Sequence, residues 1–248
     1  MAQYGKTTYW DERYTKYVAA RSRSSSGACG ARRASGPARG GADQAARRRD
    51  PEPFDWYQRY SGVKEKLRSY VKDGDHILQL GCGNSRMTED MYDDGFTSIA
   101  NIDISKVVVE QMKERHKDKP TLTWQVMNAC HLDFPDETFD AIVDKGTMDS
   151  VLCGEGSTGN VGKMLSECVR VLKPNGVLFM ISYGVPDNRL GYLESEEFPW
   201  KVSVTTVAKP TVSANAVSDS KDANSCHYIY VAVKNGGAEA GGAAAEAK

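Results

Sequence analysis

Residues 77–85 read I-L-Q-L-G-C-G-N-S, and the next apolar run closes on Asp103. An apolar strand that breaks into a glycine turn, with a carboxylate at the end of a second strand about 20 residues later, is how a βαβ unit holds a nucleoside. The glycines let the backbone approach the ligand and the carboxylate grips the ribose hydroxyls. Gly81 and Gly83 therefore commit this part of the chain to a parallel sheet with a binding turn at its edge. A dinucleotide site needs the third glycine of G-x-G-x-x-G, so that helix and strand pack closely around a pyrophosphate. Arg86 stands there instead. The turn suits a nucleoside ligand without phosphates, and S-adenosylmethionine is the commonest of these.

The surrounding pattern extends the unit. Residues 62–71 place Val63, Leu67, Tyr70 and Val71 on one helical face, and strand patterns follow at 76–80, 98–102, 122–126, 139–143 and 176–182. Helical patterns fill the gaps at 84–93, 105–117 and 160–172, the last stopped by Pro174 and Gly176. Repeated βα units call for a mostly parallel, doubly wound sheet with helices on both faces. Two further strand patterns, 200–207 and 227–233, are spaced for an antiparallel hairpin at the C-terminal edge. That α/β arrangement is the Rossmann-like class I methyltransferase fold.

A chain of 248 residues makes one such domain, spanning 51–234. Residues 1–17 form a separate aromatic segment with Tyr4, Tyr9, Trp10, Tyr14 and Tyr17, whereas 18–50 turn to Ala, Arg, Ser and Gly. That insertion cannot bury enough apolar surface to order itself and is expected to be disordered, as is the Gly/Ala/Glu tail at 235–248. The formal net charge of −1 hides an asymmetry: eight arginines lie between Ala20 and Asp50, leaving 24 basic and 31 acidic side chains elsewhere. The acidic remainder argues against a nucleic-acid face and fits a basic protein partner. Six cysteines without a C-x-x-C pair read as free thiols of a reducing compartment, and four scattered histidines provide no metal site. No apolar run approaches the ~18 residues that span a bilayer. A cytoplasmic monomer without membrane or metal is the expectation.

In an open parallel sheet the ligand lies beyond the carboxyl ends of the strands. Reading those ends gives Gly81 to Ser85, with Gly81 and Gly83 as its glycines, then Asp103 and Ile104, then Asn128 and Ala129, then Asp144 and Lys145. The glycines would admit the amino-acid part of the cofactor, Asp103 the ribose diol, and Asn128 the adenine amine, with Ile104 and Ala129 flanking the ring. Asn128 also reads as an ordinary strand-end polar residue. In D-K-G-T-M-D (144–149), carboxylates sit where an amine would approach a methyl donor. A lysine nucleophile, with a reference pKa near 10.4, is neutral in only about one molecule in 10³ at pH 7, so an acceptor for its proton would help. Asp144 is the first candidate for that role and Asp149 the second; the alternative is that Asp144 caps a turn or pairs with Lys145.

Six motifs in order, Y-W-D-E-R-Y (9–14), F-D-W-Y (54–57), L-G-C-G-N-S (80–85), N-I-D-I-S (101–105), L-D-F-P-D-E-T-F-D (132–140) and D-K-G-T-M-D (144–149), resemble the methyltransferase-like proteins that modify lysines of elongation factor 1-alpha. The resemblance implies S-adenosylmethionine as cofactor, that factor as protein substrate, and N-terminal aromatics folded over the cofactor. It adds Trp10, Tyr14 and Trp56 to the cofactor contacts and supports Lys145; taken alone, Trp10 and Trp56 would read as core residues. Three features depart from the family: the 18–50 insertion splits the aromatic motifs, Asn128 replaces the usual Asp, and the segment after Tyr183 is only loosely similar. A small-molecule N- or O-methyltransferase and an inactive cofactor-binding partner protein are the competing readings.

Overall fold

The structure, a computed structural model of the chain, describes residues 3–24, 53–210 and 225–236. Among these, seven strands form one sheet: β1 (Ile77–Leu80), β2 (Ile99–Asp103), β3 (Leu122–Val126), β4 (Phe139–Lys145), β5 (Leu172–Ser182), β6 (Trp200–Ala208) and β7 (Cys226–Lys234). Their order is β3-β2-β1-β4-β5-β7-β6. Strands β1 to β5 run parallel, and β7 is antiparallel to both β5 and β6. The chain winds outward from β1 to β3, then returns to lay β4 on the other side of β1. A crevice opens at that reversal, beyond the strands' carboxyl ends.

The helices are α1 (Thr7–Ser24), α2 (Tyr60–Arg68), α3 (Met87–Asp93), α4 (Lys106–Arg115), α5 (Thr147–Leu152), α6 (Ser157–Val171) and α7 (Leu190–Leu193). Because successive strand residues face opposite ways, the sheet sorts its apolar side chains into two layers. Ile77, Val143, Phe179 and Val231 pack with Val63 and Leu67 of α2, Met91 of α3 and Val108, Val109 and Met112 of α4. Leu78, Ile142, Leu178 and Tyr230 pack with Val161, Met164, Leu165 and Cys168 of α6. The i, i+3, i+4, i+7 spacing of those α6 residues makes one buried stripe, each side chain contributing about 1.5–3 kcal/mol by leaving water. The expected doubly wound order and antiparallel C-terminal hairpin are both present.

The local differences from expectation have simple causes. The aromatic segment is helical, and α1 continues to Ser24, past the boundary expected at residue 17. Trp10 and Tyr14, four residues apart and stacked at 5.9 Å, give this helix one aromatic face. The rest of the 18–50 insertion lies outside the described residues, as do 237–248 of the tail; Asn235 donates its backbone N–H to the Pro199 carbonyl at 2.7 Å. Strand β5 begins at Leu172, paired with Phe139, because α6 stops at Val171, ahead of Pro174. Helices α5 and α7 are too short to carry a readable period. Among the described residues no helix is long and apolar enough to cross a membrane, and no acidic, histidine or cysteine cluster could hold a metal. The five described cysteines are free thiols.

Candidate active site

Register assembles the floor of the crevice. Gln79 of β1 pairs with Asn101 of β2 on one side and Val143 of β4 on the other. Two residues further on, the same row ends in Asp103 and Lys145, which face one side of the sheet, with the glycine turn at Gly81 between them. Beyond this row lies a cavity of about 190 Å³. Its wall includes Gly81, Gly83, Asp103 and Ile104 from the first two strand ends, Asn128 and Ala129 after β3, and Lys145 from β4. Trp10, Tyr14 and Trp56 line it from the N-terminal side. The ten residues read from the sequence as cofactor contacts thus border one space.

Asp103 is the most constrained of them. Only 7% exposed, it accepts the Gly83 N–H on Oδ2 and the Ser105 N–H on Oδ1, each at 2.9 Å. Burial pushes its carboxyl up to about 6; the two backbone N–H groups oppose that and the nearby Asp11 carboxylate adds to it. Each oxygen keeps acceptor capacity, as a diol requires. Gly83 has a φ of +53°, and a Cβ there would come within 2.9 Å of the Tyr14 hydroxyl, so only glycine fits between the turn and α1.

On the opposite side of the row Lys145, 7% exposed, reaches the Asp55 carboxylate and the Trp56 carbonyl, both at 3.2 Å. Burial holds its ammonium below the usual lysine range, and Asp55 opposes that. The Ser85 hydroxyl also donates to Asp55. This ion pair ties the segment before α2 to the end of β4. An isolated buried charge would cost several kcal/mol, so the pair holds both side chains in place more than it stabilises the fold.

Over the floor lie the rings of Tyr4, Trp10, Tyr14, Phe54 and Trp56, which join into one cluster with centroid separations of 5.3 to 6.5 Å. Trp10 donates its indole N–H to the Tyr4 carbonyl at 2.6 Å, and Asp11 accepts the Ser105 hydroxyl at 2.5 Å, docking α1 onto the start of α4. Aromatic faces attract a sulfonium and exclude water from it.

The two carboxylates proposed as proton acceptors require correction: neither Asp144 nor Asp149 is on the cavity wall. Asp144 is fully buried, and its oxygens accept the N–H groups of Thr147 at 2.7 Å and Met148 at 3.0 Å. It caps the first turn of α5, on the sheet face opposite Lys145. Burial pushes its carboxyl up to about 7, against the pull of those N–H groups. Asp149 accepts the Ser182 hydroxyl at 2.6 Å, the Tyr183 N–H at 2.9 Å and the Arg189 guanidinium at 2.8 and 3.1 Å. Both carboxylates hold backbone and neighbours in place rather than facing a ligand.

The strand-end reading reached Asn84 and Ser85, which line the cavity, but passed over Gln79, Phe54 and Thr147, which also line it, and Asp55 behind it. Ser85 and Asp55 stood inside the quoted motifs, but their pairing joins distant segments. Gln79 is 1% exposed and its side-chain oxygen has no hydrogen-bond partner. A buried acceptor left open at a cavity wall is matched by a ligand that brings a donor, as the ammonium of a methionyl group would. With the acceptor-bearing Asp103 and the aromatic cover, the residues fit S-adenosylmethionine.

Residues 78–180 match the family model described as a methyltransferase domain. The mouse (Mus musculus) eEF1A lysine and N-terminal methyltransferase is 43% identical over 132 residues, 52% of this chain, but the chain spans only 19% of that protein's length. The bovine (Bos taurus) EEF1A lysine methyltransferase 4 is 30% identical over 211 residues, covering 82% of this chain and 71% of that protein. A solved S-adenosylmethionine-dependent methyltransferase from Methanosarcina mazei shares the fold with a TM-score of 0.53 at 16% identity, covering 74% of this chain and all of that one. Strand order, glycine turn and the length of the bovine match agree: the chain belongs to the EEF1A lysine methyltransferase 4 family, with a class I methyltransferase fold.

Proposed function

We propose that this chain transfers a methyl group from S-adenosylmethionine to the side-chain amine of a lysine in elongation factor 1-alpha. The observation that carries the reading is the row ending in Asp103 and Lys145, with the glycine turn between them, beneath an aromatic cover, in a chain whose relatives are named for lysine methylation of that factor. When bound, the cofactor supplies an electrophilic methyl group on a sulfonium. Asp103 would accept the two ribose hydroxyls, and its preset backbone bonds leave little reorganisation for the moment of binding. Gly81 and Gly83 let the backbone reach the methionyl part, with the Gln79 oxygen as an acceptor for its ammonium. Trp10, Tyr14 and Trp56 keep water out. Catalysis then lies mostly in holding amine and methyl carbon at near-attack distance. Desolvation at the cavity mouth favours the neutral amine over the ammonium. The same reading makes the enzyme a cytoplasmic monomer with a protein substrate.

The test is incubation of the purified chain with S-adenosylmethionine and elongation factor 1-alpha, followed by peptide mass spectrometry. Added methyl mass on one lysine is expected. An unmodified factor, with small amines methylated instead, would reassign the enzyme to small molecules; cofactor binding without any transfer would make it an inactive partner protein.

A further inference from the structure

The cavity wall contains a seam where two distant segments touch. Tyr4 and Gly5, ahead of α1, line the cavity from one side, and Gly154 and Glu155, between α5 and α6, line it from the other. The two glycines meet directly. A Cβ on Gly5 would collide with the Gly154 backbone, and one on Gly154 would come within 3.1 Å of the Gly5 Cα. Neither glycine has a positive φ, so backbone conformation does not call for glycine at either position; the close approach does.

Little holds this seam shut. Among the described residues no hydrogen bond crosses it. Lys6 and Glu155 face each other at 3.8 Å, but their side chains are 55% and 93% exposed, and water screens such a pair. The flanks are held more firmly on one side than on the other. Tyr4 accepts the Trp10 indole N–H and packs its ring 6.0 Å from that of Trp56, while α1 is docked on α4 through Asp11 and Ser105. Across the seam, Gly154 and Gly156 flank Glu155, which gives that loop the freedom to swing. Beyond it the wall continues through Val151 and Asn160 to Cys130, whose thiol donates to the Asn160 carbonyl at 3.3 Å, and then to Asn128 and Ala129. The seam therefore borders the end of the cavity expected to hold the adenine.

We propose that the seam between Gly5 and Gly154 is the gate by which S-adenosylmethionine enters and its demethylated product leaves, opened by a swing of the loop that carries Gly154, Glu155 and Gly156. The proposal rests on the cofactor part of the function above, whatever the methyl acceptor. Closed, the seam completes the wall beside the Tyr4, Trp10 and Trp56 rings and keeps water from that side. Parting the two glycines opens the wall without disturbing the sheet, because neither belongs to a strand or helix.

Stopped-flow binding of S-adenosylhomocysteine tests this, followed by tryptophan fluorescence, since Trp10 and Trp56 line the cavity. The observed rate against concentration gives kon as its slope and koff as its intercept, and melting temperature is measured on each variant. Gly5→Ala forces the seam apart and is expected to raise koff roughly tenfold without lowering kon. Gly154→Ala makes the milder approach and should raise koff less; it carries the test if Gly5→Ala lowers the melting temperature. Wild-type koff in both variants overturns the proposal. A loss of affinity that comes entirely from a lower kon overturns it too, by making the glycines shape the wall and not gate it. A wild type that binds no S-adenosylhomocysteine overturns the cofactor reading and this proposal with it. An enzyme that shows the expected rates but leaves elongation factor 1-alpha unmodified loses the protein-lysine reading and keeps the gate.

Discussion

Asp103 and Asp144 look alike by every local measure, yet the molecule uses them differently. Both end or nearly end a central parallel strand, both are buried, and both accept two backbone N–H groups. Each is pushed up by burial and has a second carboxylate nearby, Asp11 for one and Asp149 for the other. Asp103 borders the cavity and Asp144 does not. The difference is strand parity: Asp103 shares the face of Lys145, whereas Asp144, one residue before Lys145, points into the opposite layer and closes the first turn of α5. Of the two strand-end carboxylates, the one on the Lys145 face borders the cavity.

The sharpest way to break the comparison is through pH. Asp144 is raised from 3.8 to about 7, so its protonated form is favoured by folding. For a raised carboxyl the stabilising contribution is complete below the unfolded value near 4 and is lost as pH rises through about 7; over that window it amounts to about 4 kcal/mol. Asp144→Asn should flatten the fall in melting temperature between pH 4 and 8 relative to wild type, with cofactor affinity at pH 7 unchanged. A cofactor affinity that collapses in this variant would put Asp144 in the site after all.

Asp103→Ala should do the reverse. Removing charge-assisted hydrogen bonds to the ribose costs about 1.5–3 kcal/mol, a roughly 10- to 150-fold loss of S-adenosylmethionine affinity by calorimetry. In the wild type that affinity should also decline as pH falls below about 6, because protonated Asp103 accepts less well. Equal affinity in wild type and variant would erase the distinction between the two carboxylates.

The smallest effect sharpens the contrast. Asp11→Asn keeps an oxygen for the Ser105 hydroxyl but removes the like charge beside Asp103. Cofactor affinity at pH 7 should change by less than about threefold, while its decline in acid moves to lower pH. An unmoved acid limb would mean that a group other than Asp103 governs it.

The glycine-turn and Asp103 side of this cavity was readable from the sequence because its signals are local. A glycine turn after an apolar run, and a carboxylate closing the next run, need only adjacent strands to become neighbours, and parallel pairing supplies that. The helical cover was less readable: the aromatic spacing of Trp10 and Tyr14 gained meaning only when α1 docked on α4 through Asp11 and Ser105. Asp144 shows a signal that was present and unused, since consecutive strand residues leave β4 on opposite faces, and Lys145 is the one on the Asp103 face.

From the sequence alone came the order of strands and helices, the doubly wound sheet and the residues at its strand ends, since periodicity and turn chemistry are written in neighbouring positions. The tertiary structure decided which strand-end side chains border the cavity. It also decided that Asp55 meets Lys145, and that the Tyr57 ring packs against Gly146. Those pairings join segments far apart in the chain, and no local pattern specifies them. They arise when helices pack onto both faces of the sheet at once, a choice made by packing the whole core together.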